Sequence, residues 1–180
     1  MVLNQISPKK KDSVAVIGLG GVGISALIAL KALGIKQIIA VDIFKEKLKM
    51  ALKLGASHAL NAKDKDFKAS FYNILKNGAD YCLESAGQTS TIELGFSLLN
   101  KDKGKLLFAS HPPDGEKISL LPHELISGKQ ISGSWGGDTR PDKDIPIMIK
   151  LFKSKEIELD WLIAKRYSFE KINDALEDLH

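Results

Sequence analysis

Four glycines crowd the six positions Gly18-Leu19-Gly20-Gly21-Val22-Gly23, and 19 residues after the last of them a carboxylate, Asp42, closes an apolar run. Residue types at this spacing suit backbone capture of a dinucleotide pyrophosphate. Gly18 permits a tight turn, Gly20 removes the Cβ that would keep phosphate from the backbone, and Gly23 lets the following helix pack closely. The unpaired N–H groups and positive dipole end of that helix then face the phosphates. Asp42 can accept hydrogen bonds from both hydroxyls of an adenosine ribose, each charge-assisted bond contributing about 1.5–3 kcal/mol. A 2′-phosphate there meets like charge, so Asp42 predicts NAD over NADP, with Lys45 and Lys47 softening the preference. A glycine string alone is turn chemistry, and an acid at a strand end often caps the next helix. Their combination at this spacing, with strand and helix in place, carries the reading.

The elements that must position these residues follow from short apolar runs alternating with helical patterns, the signature of a parallel sheet with crossover helices. Strands are predicted at Ser13–Ile17, Gln37–Val41, His58–Leu60, Asp80–Glu84, Lys105–Ala109 and Gln130–Ser134. Helices are predicted at Gly21–Leu33, Lys45–Leu54, Lys65–Lys76, Thr89–Leu99 and Pro122–Ser127, with Gly34, Gly55, Gly78 and Gly104 as stop signals. The fold class is therefore α/β: a doubly wound, Rossmann six-stranded parallel sheet with helices on both faces. From Gly136 onward Gly136, Gly137, Pro141 and Pro146 break the chain before two further helical patterns, Ile145–Lys155 and Phe169–Leu179. The expected organisation is a dinucleotide-binding domain over residues 1–135 and a C-terminal helical return segment over 136–180, with the sub-boundary at Trp135–Arg140.

Composition excludes several classes. The 180 residues are 44% hydrophobic and 27% charged, ordinary for a globular chain and unlike a disordered one. One cysteine, Cys82, rules out an internal disulfide and any metal site needing two or more cysteines, and fits a reducing, cytoplasmic setting. The net charge of +4 comes mostly from scattered lysine, with one basic run at Lys9–Lys11, read as a solvated loop. No nucleic-acid partner is expected. Ser13–Leu30 carries no charge and superficially imitates a secretory signal or membrane span. Its central glycines, each weakening a continuous helix by roughly 1 kcal/mol, divide it into strand, turn and helix, so no membrane partner is expected.

Val14–Asn61 closely resembles the cofactor-binding domain of zinc-dependent alcohol dehydrogenases of the medium-chain dehydrogenase/reductase superfamily. The likeness continues through Gly78–Gly87, Gly104–Pro113, Ser127–Lys129 with Gly133–Gly137, and Tyr167–His180. By matching position, the resemblance implies that Leu19, Gly20 and Gly21 meet the pyrophosphate, that Val22 lies behind the nicotinamide, and that Asp42 and Lys47 hold the adenosine ribose. Ile43 and Ala86 would sandwich adenine with Phe44 at the rim. Gly87, in the turn Ser85-Ala86-Gly87, would approach the nicotinamide ribose. The stretch Ala109-Ser110-His111 and the backbone near Trp135 would border the nicotinamide. Phe44 stands where the family often has a polar residue, and Ala109 and His111 replace bulkier aliphatics.

The family's zinc ligands and proton relay lie in an N-terminal domain, and no residues here match them. Cys82 falls in a buried strand, and Pro122-His123-Glu124 imitates a metal-binding Gly-His-Glu without partner ligands. His58, His111 and His123 read as surface or capping residues, and Asp80 and Glu84 at opposite ends of one strand do not form an acid/base pair. The resemblance thus implies NAD as cofactor, an alcohol or aldehyde substrate in a full-length enzyme, and zinc held only outside this chain. The chain is expected to be the NAD-binding part of such an oxidoreductase and to oxidise no alcohol alone. Trp161, Leu162, Ile163 and Phe169 are candidate contacts to the catalytic domain, and strand 131–134 is the candidate homodimer edge. The alternative from another class is a free-standing NAD/NADH-sensing module, such as regulates potassium channels. A methyltransferase reading accommodates the turn-to-acid spacing but not the continuous similarity.

Overall fold

A computed structural model describes residues 1–154, 159–163 and 165–178. Six strands form one sheet: β1 (Ser13–Ile17), β2 (Gln37–Asp42), β3 (His58–Asn61), β4 (Tyr81–Glu84), β5 (Lys105–Phe108) and β6 (Gln130–Gly133). All five pairings are parallel, in the order β3-β2-β1-β4-β5-β6. That is the doubly wound order, whose reversal between β1 and β4 opens a crevice at the strands' C-terminal ends.

The crossover helices are α1 (Gly21–Ala32), α2 (Lys45–Leu54), α3 (Phe67–Ile74) and α4 (Thr89–Ser97), with a short α5 (Pro122–Ile126) before β6. Alternation along the strands divides the core. Val14 and Val16 of β1 and Ile38 and Ala40 of β2 pack with α1 and α2. Ala15, Ile17, Ile39 and Val41 point the other way, to Phe67, Phe71, Ile92 and Phe96 of α3 and α4. A sheet covered on both faces needs strands that are apolar at every position, and β1 is buried throughout.

Helix α1 is apolar almost all round, which a helix covered on one side only could not sustain. Its outer side is covered by Val2 and Ile6, from a helical turn at Val2–Ile6, and by Phe152. Lys9–Lys11 follow as an exposed turn.

Several boundaries move. Helix α3 begins two residues later and ends two earlier than the pattern predicts, and five strands shift by a residue at one end. The larger difference is α6, which spans Pro141–Ser154 and carries Pro146 inside it, although Pro146 reads in the sequence as a breaker. Pro141 opens the helix, where its missing N–H is no loss. Lys143 and Asp144 donate to the Arg140 carbonyl at 2.9 and 2.8 Å, and the Asp144 carboxylate accepts the Arg140 N–H at 2.7 Å, which fixes the earlier start. The second C-terminal pattern resolves into a tight turn, Phe169–Lys171, running into α7 (Ile172–Glu177). The expected ends at Lys155 and Leu179, and the Trp161 side chain, lie outside the described residues. Leu162, Ile163 and Phe169 are exposed, the last at 83%. No helix among the described residues is long and apolar enough to cross a membrane.

Candidate functional site

The crevice between β1 and β4 holds a cleft of about 480 Å³. Its floor is the glycine turn. Gly18 sits at φ +84, and a Cβ on it would stand 2.7 Å from the Ala86 nitrogen. A Cβ on Gly23 would fall 1.9 Å from the Gly18 carbonyl oxygen, so α1 closes onto the turn only because that position is bare. Gly20 and Gly21 differ: a Cβ on either would meet nothing within 4 Å. The space beside them lies open at the start of α1, where the first amides lack intrahelical acceptors. Ile24 is the first residue to bond back, to the Gly20 carbonyl at 2.9 Å.

Asp42 forms the opposite wall, and most of its surface is buried. Its Oδ2 accepts the Leu19 N–H at 2.7 Å, while Oδ1 accepts the N–H groups of Ile43 at 2.7 Å and Phe44 at 3.0 Å. The carboxylate therefore holds the glycine turn and the start of the β2–α2 connection at once. An ionised carboxylate has about four acceptor positions, so capacity remains for a ligand hydroxyl. Ile43 and Phe44 expose apolar surface at the mouth, and the Lys47 ammonium lies 5.1 Å from the centre of the Phe44 ring.

The third wall is the turn after β4. Ser85 donates from Oγ to the Gly18 carbonyl at 2.9 Å, tying this turn to the glycine turn. Behind it lies Glu84, 1% exposed. Glu84 Oε1 accepts the N–H groups of Ala86 at 2.7 Å and Gly87 at 3.1 Å and the Thr91 hydroxyl at 2.7 Å. Its Oε2 accepts the Ser110 hydroxyl. Four donors satisfy a buried charge that would otherwise be costly.

Of the predicted residues, Gly18, Leu19, Gly20, Asp42, Ile43, Phe44, Lys47, Ser85 and Ala86 line this one cleft. Gly21, Val22, Gly23, Gly87, Ala109, Ser110, His111 and Trp135 do not. Gly23 packs inward, and Val22 faces solvent at 49% exposure. Ala109 to His111 follow β5, and Trp135 follows β6, along the same edge of the sheet. The His111 and Trp135 rings meet edge to face at 4.6 Å, with Trp135 86% exposed.

Sequence reasoning missed Glu84, Gln88 and Thr91. A signal for Glu84 was present, since a carboxylate ending a parallel strand that is otherwise buried must find donors in the loops beyond it. Gln88 and Thr91 line the cleft from the start of α4, and nothing in the local pattern distinguishes them.

Away from the cleft, Glu124 of the histidine motif pairs with the Lys129 ammonium at 2.5 Å. Among the described residues no group of three or more His, Cys, Asp or Glu side chains could hold a metal ion. Cys82 is fully buried, and burial pushes its thiol pKa up, opposed weakly by Lys129.

Residues 21–154 match the family described as zinc-binding dehydrogenase. The chain is 29% identical over 177 residues to alcohol dehydrogenase 6 of Peromyscus maniculatus, covering 97% of this chain and 47% of that protein. Among solved structures it is similar to an alcohol dehydrogenase zinc-binding domain protein from Burkholderia ambifaria, with TM-score 0.91 and 35% identity over 98% of this chain and 48% of that one. It is also similar to benzyl alcohol dehydrogenase from Acinetobacter calcoaceticus, with TM-score 0.91 and 34% identity over 99% and 49%. The chain spans about half the length of these relatives.

Proposed function

The chain belongs to the zinc-binding dehydrogenase family, and from that membership we propose that it is the NAD-binding part of an alcohol dehydrogenase-like oxidoreductase. The observation that carries the proposal is the contrast within one turn. Gly18 and Gly23 are closed against their neighbours, whereas a Cβ on Gly20 or Gly21 would meet nothing, and Gly20 lines the same cleft as the buried carboxylate of Asp42.

A dinucleotide fits these residues in order. The amides at the start of α1 would take the pyrophosphate. Asp42 would accept the adenosine ribose hydroxyls with its remaining lone pairs, adenine would lie between Ile43 and Ala86 at the cleft mouth, and Lys47 would flank the ribose. The nicotinamide half would extend along the sheet edge toward Gly87, Ala109, His111 and Trp135, with Val22 behind it. The bound nicotinamide supplies the hydride-accepting carbon, and the chain's own residues position that half, exclude water from one side of it and fix its orientation. Alcohol and metal would be held by the half of a longer protein that corresponds to the rest of the relatives' length. Residues 136–180, with the exposed Leu162, Ile163 and Phe169, would pack against that half.

Titration calorimetry of the purified chain with NADH and NADPH tests the reading. Heat of binding is expected with NADH, and affinity for NADPH at least about tenfold weaker, equivalent to losing about 1.4 kcal/mol at Asp42. A folded chain that binds no NADH overturns it.

A further inference from the structure

We propose that Glu84 is a positioning residue that locks the adenosine-side wall of the cleft to the nicotinamide-side loop, so that one buried carboxylate sets the relative placement of the two halves of the site. The inference rests on the NAD-binding reading. Glu84 ends β4, with Ile17 of β1 as its partner on one side and Phe108 of β5 on the other, so it stands at the point where the strand order reverses. Its two oxygens face different loops. Oε1 gathers Ala86, Gly87 and Thr91, of which Ala86 and Thr91 line the cleft. Oε2 reaches across to the Ser110 hydroxyl, beside His111 on the loop after β5.

The arrangement is more than a satisfied core charge. Burial obliges both oxygens to find donors, and Oε2 takes its donor not from its own turn but from a residue 26 positions away on the neighbouring loop. The β4 and β5 backbones are already bonded, with the Ala109 N–H donating to the Glu84 carbonyl at 2.8 Å. The Ser110 bond therefore adds orientation of the loop beyond the ladder. A charge-assisted O–H donor is short and directional, which suits that task.

The test compares NADH with ADP-ribose, which shares the adenosine and pyrophosphate but lacks nicotinamide. In Ser110→Ala the affinity for NADH is expected to fall about five- to tenfold, while that for ADP-ribose changes less than about twofold. In Glu84→Gln the three donors at Oε1 demand the amide oxygen, which turns the NH₂ toward Ser110 and replaces a charged acceptor with a neutral contact. The ratio of NADH to ADP-ribose affinity should therefore fall in the same direction as in Ser110→Ala. A loss of stability alone would lower both affinities together and leave the ratio unmoved.

An unchanged ratio in Ser110→Ala overturns the proposal, as does a ratio that moves in Ser110→Ala but not in a folded Glu84→Gln, which would mean that Ser110 acts directly. Where Glu84→Gln does not fold, Ser110→Thr takes its place: restoration of the ratio by the retained hydroxyl supports the tie, and failure to restore it counts against it. A folded wild-type chain that binds neither ligand overturns the NAD reading, and this proposal with it. Binding by wild type with unmoved ratios overturns this proposal alone.

Discussion

The Leu19 amide donates to Asp42 Oδ2 at 2.7 Å, so the acid that would read a ribose is also the clasp of the glycine turn. With Ile43 and Phe44 donating to Oδ1, every partner of this carboxylate among the described residues is a backbone N–H.

Asp42→Asn is therefore expected to fail twice. The substitution sets an NH₂ group against an N–H donor whichever way the amide turns, at a cost of about 1–3 kcal/mol in stability. It also removes the charge offered to the ribose, so NADH affinity should drop tenfold or more. Urea unfolding and NADH titration of the same sample check both, and a variant as stable as wild type would refute the clasp.

Two glycines of the turn should separate folding from binding. Gly23→Ala places a methyl 1.9 Å from the Gly18 carbonyl oxygen and is expected to cost about 3 kcal/mol or more. Gly20 has φ −78 and ψ −167, which alanine tolerates, and its Cβ would meet nothing. Gly20→Ala should melt within a few degrees of wild type yet bind NADH at least about tenfold more weakly, because the methyl enters the space assigned to the pyrophosphate. Equal binding by Gly20→Ala and wild type would place the phosphates elsewhere.

At the other end of the sheet Asp80 Oδ2 accepts the Ser13 N–H at 3.0 Å and the Ser13 hydroxyl at 2.9 Å, with Lys103 at 3.3 Å from Oδ1. Burial alone would raise the carboxyl pKa, but the Ser13 bonds and Lys103 outweigh it and hold the group below the ordinary carboxylate range. A depressed folded-state value stabilises above the unfolded value, about pH 3.9, and that stabilisation disappears as pH falls through the lower folded value. Asp80→Asn should thus cost about 1 kcal/mol at pH 7, limited by the partial exposure of the pair. The gap between the two urea midpoints should narrow below about pH 4. A gap that stays constant from pH 7 to pH 3 would show that the charge contributes nothing.

Among the described residues strand β6 is an edge of the sheet, with β5 on one side only. The Gln130 and Ser134 amides turn inward to Gly104 and Phe108, leaving the alternate amides of Ile131 and Gly133 facing away from β5. An open edge invites pairing, and two copies joined through residues 131–134 would close it. Sedimentation velocity should show a concentration-dependent dimer, and a strict monomer at high concentration would count against this edge.

The strand and helix alternation, the order of events from Gly18 to Asp42 and the family likeness were all legible in the sequence, because each rests on spacing within a few tens of residues. Period, glycine placement and turn-to-acid distance are local quantities, and β1, β2, α1 and α2 depart from the pattern by no more than a residue at either end. Pro146 misled for the converse reason: whether a helix starts before it depends on how Asp144 caps Arg140, which involves side-chain geometry rather than residue type. Tertiary structure alone decided which oxygens of Asp42 are engaged, that Glu84 joins the Ala86 turn to Ser110, and that Ser13 meets Asp80. The Ser13 contact exists because β1 pairs with β4 as well as with its sequence neighbour β2, and the Asp42 and Glu84 contacts follow from the β1–β2 and β4–β5 pairings. A parallel crossover brings together residues dozens of positions apart, and nothing in the periodicity of either segment records its partner.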